Sequence, residues 1–408
     1  MIGIDEAVER VLAAVRPLGD EEVGLLDALG RTLAEEVVAG EDVPPFANSA
    51  MDGFAVCGED LSAGVREFVL VDEVPAGYVS EVRLAPGQAA KIMTGAPLPE
   101  GADTVVQVEL TEAAGATVSL RDTVAPAANV RAAGEDLRRG ETVFVPGQCL
   151  GPAEIGLLAS LGCDRVRVSR RPRVAILATG SELVPPTEPV GPGQIRNSNS
   201  FTAHGQVLRA GGEPVLLGIA RDDREETRRL VARAIEEDVA VTSGGVSVGE
   251  FDFVKEVQDE LGVERGFWGV RVKPGKPISF GTKGATLVFG VPGNPVAAMV
   301  SFELYIRPAL LAMQGRADIY RLHCTALSQE PVAPAKGRVE ARRCRVEVRD
   351  GVWTFSTTGP QGSGILRSMA LADGLVFVPS GFGGGPAGTP LTVMLLAGSS
   401  AQRPPYPD

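Results

Sequence analysis

Between Arg173 and Met313 short apolar runs alternate with amphipathic helical segments, and this alternation restricts the fold more than any other feature. RVAILATG is a buried strand ending in a glycine turn, residues 201–209 have helical periodicity, EPVLLGIA is a second strand, and REETRRLVARAIEE is an amphipathic helix. DVAVTSGG, the helix FDFVKEVQDEL, the strand ATLVFGV and the long helix VAAMVSFELYIRPALLAM follow. Such a series predicts a doubly wound parallel sheet with right-handed crossovers. Ligands of these sheets lie beyond the carboxyl ends of the strands. That rule gathers four turns on one edge: Thr179-Gly-Ser-Glu182, Asp222-Asp223, Ser243-Gly-Gly-Val-Ser-Val-Gly249 and Pro292-Gly-Asn-Pro295.

The flanks differ. Residues 4–16 place Ile4, Val8, Val11, Leu12 and Val15 on one helical stripe, and residues 25–38 read as a second helical piece interrupted by Gly30. From 68 to 145, and again from 320 to 397, short β runs sit between frequent Gly and Pro. At 408 residues the chain suggests two to four domains. The expected class is a multidomain α/β protein. A discontinuous linker (1–45 and 137–171) precedes and follows a β-rich lid (46–136). The central α/β domain (172–317) leads to a C-terminal β domain (318–397), barrel or sandwich, and a tail (398–408) expected to fray.

Composition excludes some classes. The net charge is −13, and the first 60 residues hold 14 Asp/Glu against three Arg. Acidity concentrated there argues against a broad basic face for nucleic acid. No run approaches the length of a membrane span by inspection, and the acidic start MIGIDEAVER is unlike a secretory signal. Five scattered cysteines without a C-x-x-C pair suggest reduced thiols in a cytoplasm. Two histidines, His204 and His323, leave little for a His-based triad or metal site.

From Arg265 to Phe302 the chain carries Arg265, Arg271, Lys273, Lys276 and Lys283 and no carboxylate. Two proline-bounded turns, Pro274-Gly-Lys-Pro277 and Pro292-Gly-Asn-Pro295, lie within it. A glycine turn entering a helix offers free N–H groups to an anion, and Lys273 and Lys276 supply point charges. SGGVSVG resembles a phosphate cradle, because small residues let backbone N–H groups approach closely. It lacks the Gly-Lys-Ser/Thr of a P-loop. Glu182, Asp222, Asp223 and Asp252, without His or Cys partners, suit Mg²⁺, which takes oxygen ligands. Taken singly, each also fits a helix cap or a solvated loop charge, and Asp222 and Asp223 fit capping especially well. The residues alone therefore describe a Mg²⁺-assisted site for a phosphorylated or oxyanionic small molecule, run by positioning and electrostatics.

The motifs PPFANSAMDGFAV, KIMTGAPLPEGADTVV, RAAGEDLRRGE, ATGSEL, GQIRNSNS, GIARDD, TSGGVSVGEFDFVKEV, VKPGKPISFG, FGVPGNPVAAM and GPQGSGILRSMALADGL occur in order along nearly the whole chain. Together they resemble the molybdopterin molybdenumtransferase family, which includes MoeA and the gephyrin E-domain. The resemblance implies a MogA-like α/β domain and ligation of molybdate to adenylylated molybdopterin with release of AMP. It also implies Mg²⁺ and an elongated homodimer whose clefts use both subunits. Other cofactor-biosynthesis proteins and recipient molybdoenzymes are further implied partners.

Matched by motif, Asp52, Thr94 and Asp136 would face the cleft from the lid. Glu182, Asp222 or Asp223, and Asp252 would handle Mg²⁺ and the adenylate end. Ser243, Gly244, Gly245 and Ser247 would cradle phosphate. Lys273 and Lys276, with Pro292, Gly293, Asn294 and Pro295, would shape the pterin-phosphate and molybdate region. Arg343 and Ser368 resemble residues that help hold molybdate. Three positions depart from the family: Ala297 stands where Ser is common, Asn197 where an acid is common, and Ser181 where some members have Asp. Two competing readings remain. One is the preceding step, adenylylation of molybdopterin; the flanking β domains and MDGFAV argue against it. The other is a non-enzymatic dimeric scaffold.

Overall fold

A computed structural model describes residues 1–122, 124–245 and 253–396. Ser247, Asp252 and the 398–408 tail lie outside the described residues.

Six strands form the central sheet, in the spatial order Glu213–Ala220, Arg173–Thr179, Val239–Ser243, Thr286–Val291, Ser279–Lys283 and Glu264–Trp268. The first four are parallel. Ser279–Lys283 runs antiparallel to both its neighbours, so Glu264–Trp268 points the same way as the first four, and the sheet is mixed where an all-parallel one was expected. The cause is local: Lys283 pairs with Thr286, leaving a two-residue hairpin loop in which Gly284 has φ +60°, and a loop that short joins only antiparallel strands.

Pleating sends alternate residues to opposite faces. Val174 and Ile176 join a core with Val207, Phe302 and Tyr305, whereas Leu177 packs with Leu230, Val231 and Val257. Helices thus cover both faces, as a doubly wound sheet requires. Register brings the four parallel strands to one level at their carboxyl ends: Thr179 opposite Ala220, Ala178 opposite Ser243, and Ser243 opposite Val291.

The stretch from Pro295 to Met313 is one helix of 19 residues, apolar enough to cross a membrane by length and composition. This corrects the sequence-based expectation that no run approaches that length. Its most apolar window is 83% buried inside the protein, as expected of a core helix. The turn Phe302–Ile306 is π-helical. Pro308 follows at once, and having no N–H it cannot serve the Leu304 carbonyl, so the ladder changes register there.

The other expected helix, residues 25–38, is corrected. Only Leu25–Ala28 coils, as a 3₁₀ turn. Gly30 then takes φ +74° and Leu33 N–H donates to Gln148 O, drawing the chain into extended pairing instead. Nearby, Asp20–Gly24 pairs with Arg165–Ser169 and Val37–Val38 with Thr142–Phe144. The region between them folds around a six-stranded sheet that includes Gly53–Val56, Glu67–Val74 and Gln88–Ile92.

Residues beyond 320 form a closed barrel of five strands. Val339–Arg349 pairs with both Val352–Thr357 and Gly374–Val378, which closes the ring through Pro390–Leu395 and His323–Ser328. The short strand Val272–Lys273 adds to the barrel beside Val339 and Glu340, tying it to the sheet domain.

Candidate functional site

The four turns predicted to share an edge do share it, the third as far as its described residues Ser243–Gly245, and side chains lock them together. Ser243 ends its strand buried. Its Oγ accepts from Asn199 Nδ2 at 2.7 Å, and its carbonyl accepts from Thr179 Oγ1 at 3.3 Å. The same Asn199 nitrogen donates to Gly293 O at 2.8 Å. Gly244 has φ +91°, and a Cβ there would stand 2.7 Å from both Thr179 O and Oγ1. Only glycine fits that position without strain. Gly244 N–H is already spent on Val291 O at 3.1 Å. Among the described residues, the free donors of these two turns are the N–H groups of Gly245, Gly293 and Asn294. Pro292 and Pro295 have none to give, but they fix the turn around Gly293 and Asn294, both exposed.

The carboxylates divide by role. Asp223 caps the helix Arg224–Ala234, accepting from Glu226 N at 2.7 Å. Asp222 and Ser181 bond reciprocally: Ser181 N donates to Asp222 Oδ2 at 3.2 Å, and Asp222 N to Ser181 Oγ at 3.0 Å. Glu182 folds back so that a Cβ on Gly180 would run into its carboxylate. Glu182 and Asp222 are both exposed. Among the described residues, no group of three or more His, Cys, Asp or Glu could hold a metal alone. Mg²⁺ needs less, since one or two carboxylates plus substrate phosphates and waters hold it. Glu182 and Asp222 fit that pattern, whereas Asp223 already serves its helix.

Lys273 and Lys276 are exposed but not equivalent. Lys273 Nζ donates to Glu340 Oε1 at 2.9 Å, and Glu340 also receives Arg342. These cations hold the Glu340 carboxyl below its ordinary value, against the opposing effect of its burial. Lys276 has no carboxylate partner among the described residues. The remaining cations of the acid-free stretch do not converge: Arg265 binds Asp259 and lies over Trp268.

The barrel reaches the edge through its Gly359–Gly364 loop. Val296 N donates to Ser363 O at 3.1 Å, and a Cβ on Gly364 would lie 3.9 Å from Asn294 Oδ1. Arg343, 1% exposed, anchors this loop. Its Nη2 donates to Gly362 O at 3.0 Å and its Nε to Ser368 Oγ at 3.0 Å, while its backbone N–H donates to Gln361 Oε1 at 2.8 Å. Burial pushes the guanidinium pKa down, with no carboxylate to oppose it. Arg343 and Ser368 therefore act on the edge through the loop.

The lid residues stand apart. Asp52 Oδ1 accepts from Thr94 N at 2.7 Å and Thr94 Oγ1 at 2.8 Å, which holds its carboxyl below the usual range. Asp136 is exposed, its N–H donating to Val43 O at 3.0 Å. Among the described residues no hydrogen bond or ion pair joins these three to the sheet edge.

The three departures also find places. Asn197 is buried two residues before the helix Asn199–Arg209, exchanging bonds with Ser200 in its first turn. Ala297 is 3% exposed, so a hydroxyl there would sit in the core and not on the open edge. Ser181 holds Asp222. Sequence reasoning placed Thr179 in an edge turn without giving it a role, and missed Asn199 and Glu340. The signal for Asn199 was a polar run, IRNSNS, entering a helix beside the first glycine turn.

An α/β sheet with interlocked glycine turns at the carboxyl ends of its strands, a β lid and a C-terminal barrel defines a multidomain protein of the class whose ligand sites lie at the sheet edge. Family models agree region by region: "MoeA N-terminal region (domain I and II)" matches residues 2–162, "Probable molybdopterin binding domain" 175–312, and "MoeA C-terminal region (domain IV)" 325–396. The chain is 38% identical to molybdopterin molybdenumtransferase 2 of Mycobacterium tuberculosis, covering 95% of this chain and 96% of that protein. It is 34% identical to the molybdopterin molybdenumtransferase of Bacillus subtilis, covering 99% and 96%. The crystal structure of the molybdopterin biosynthesis moeA protein from Pyrococcus horikoshii OT3 superposes with a TM-score of 0.83 at 30% identity, over 97% of this chain and 100% of that one. The chain belongs to the molybdopterin molybdenumtransferase family.

Proposed function

We propose that this chain is an enzyme of molybdenum cofactor biosynthesis, inserting molybdate into adenylylated molybdopterin with release of AMP. Family membership supports the reaction class. The observation that carries the reading is the interlocked edge, where Asn199 joins the Ser243 and Gly293 turns and the barrel loop closes on Asn294. Gly245, Gly293 and Asn294 N–H groups orient phosphate or molybdate oxygens, and exposed Lys276 adds positive charge. Lys273 joins by leaving Glu340, which keeps Arg342 as partner. Glu182 and Asp222 would hold Mg²⁺ at the adenylate end, joined by Asp252 on the motif match alone. When bound, that ion neutralises charge on phosphate oxygens.

The separation of Asp52, Thr94 and Asp136 from the edge supports a homodimer in which one protomer's lid faces its partner's edge. Separate hydrophobic cores in the linker and lid support the divisions at 136 and 171, whereas the sheet-domain core also takes in Ala7 and Val11 of the N-terminal helix and Ala341, Leu375 and Met394 of the barrel. Five free cysteines favour a reducing compartment, the cytoplasm.

The test is AMP release from adenylylated molybdopterin with and without molybdate. Molybdate should drive release. No effect of molybdate would sink this reading, and formation of adenylylated product from MgATP and molybdopterin would place the protein at the preceding step.

A further inference from the structure

We propose that Asn199 is a positioning residue that sets the spacing between the Ser243–Gly245 and Pro292–Pro295 turns, so that one anionic ligand can engage both. The inference rests on the reaction read above for the ligand's identity, but its geometry stands alone. Asn199 opens the helix Asn199–Arg209. Its Nδ2 donates to Ser243 Oγ at 2.7 Å and to Gly293 O at 2.8 Å. The acceptors follow two neighbouring parallel strands, Val239–Ser243 and Thr286–Val291. A Cβ on Gly293 would stand 4.0 Å from Gly244 Cα, so the two turns approach closely just where the amide spans them.

A primary amide suits this task for a chemical reason. Its planar NH₂ gives two donors from one atom, whereas a hydroxyl gives one and a carboxylate none. Both donors are used. The acceptor of the same group, Asn199 Oδ1, is buried and without a partner among the described residues. A cavity of about 10 Å³ bounded by Asn199, Thr202, Gln206 and Ser243 is at the lower limit for one water. An unpaired buried acceptor offsets part of what the two donated bonds contribute. The side chain therefore adds little net stability. What it adds is register between the turns whose free N–H groups, on Gly245, Gly293 and Asn294, meet the ligand.

Full-length Asn199→Ala and Asn199→Asp test this against wild type. Asn199→Ala should keep its melting temperature within about 3 °C. It should exchange amide hydrogens faster in a peptide spanning 286–300, and raise KM for adenylylated molybdopterin about tenfold with kcat changed less than about threefold. Asn199→Asp should match the alanine variant at neutral pH. It should recover toward the wild-type KM as acidification protonates the carboxyl and restores an O–H donor, a trend absent from wild type and Asn199→Ala. Unchanged KM and exchange in Asn199→Ala overturn the proposal. So does a KM increase that acid fails to reverse in Asn199→Asp, since that marks general loosening of the edge. If wild type releases no AMP, the reaction reading fails, and the exchange of 286–300 in the two variants still decides the role of Asn199.

Discussion

At the sheet edge polar side chains are tied from one turn to another: Ser243 to Asn199, Asp222 to Ser181, Arg343 to the loop that meets Asn294. On the lid, Asp52 is bonded to Thr94 of a neighbouring turn of the same lid, and Asp136 is exposed. The edge is thus set before ligand arrives, and a preset site costs less to bind into. The lid offers exposed groups on a separate core, and among the described residues no hydrogen bond or ion pair ties them to this chain's edge. On the proposed reading, one half of the site is built by the fold of a single chain and the other half is supplied by a partner's lid.

The largest effect should come from Arg343→Met. The change keeps apolar volume, and lost hydrogen bonds offset relief from burying an uncompensated charge, so stability should move by no more than about 2 kcal/mol. With the loop unanchored, molybdate-dependent AMP release should fall about 100-fold. A large loss of melting temperature would show that the arginine mainly holds the barrel together.

Next, mixing Asp52→Asn with Arg343→Met tests the composite cleft. If one protomer's lid serves its partner's edge, heterodimers hold one intact cleft, and activity should recover to about a quarter of wild type after subunit exchange. No recovery would place lid and edge in the same chain's cleft.

Within the edge, Gly244→Ala should cost about 2–3 kcal/mol, from its positive φ and the clash with Thr179. Gly293→Ala, with no such clash, should leave thermal unfolding near wild type while weakening AMP binding measured by calorimetry. Smaller still, Asp223→Ala should cost about 1 kcal/mol through the lost helix cap. Its Mg²⁺ dependence should stay intact, whereas Asp222→Ala should shift the Mg²⁺ titration and spare stability. The reverse pattern would exchange their roles.

The smallest expected change is on the lid. Thr94→Val removes one of two donors to Asp52 and should raise its carboxyl pKa part of the way to 3.8 in an NMR titration, since the backbone donor stays. A carboxyl held low favours the folded state above its unfolded pKa. It loses that contribution as pH falls through the folded value, here below about 4. An unmoved titration would mean that the Thr94 hydroxyl does not set the state of Asp52.

Much was legible because local patterns and topology point the same way. The alternation from Arg173 marked the four parallel strands and, through their carboxyl ends, the four turns, but not the two further strands that make the sheet mixed. Asn199 was not legible, because its two acceptors lie 44 and 94 residues away. Residues 25–38 misled because their apolar spacing suits a helix, while pairing with residues near 148 and 168 prevails. Lys273 looked free because Glu340 is distant in sequence.

By itself the sequence determined the strand and helix order, the glycines that turns demand, and the family through motifs spread over nearly the whole chain. These follow from periodicity and from backbone conformations only certain residues adopt. Which carboxylate caps, which lysine is paired, which arginine is buried and which amide bridges two turns were decided only by tertiary structure. The reason is physical: each depends on a partner brought near by folding, and sequence spacing carries no record of that distance.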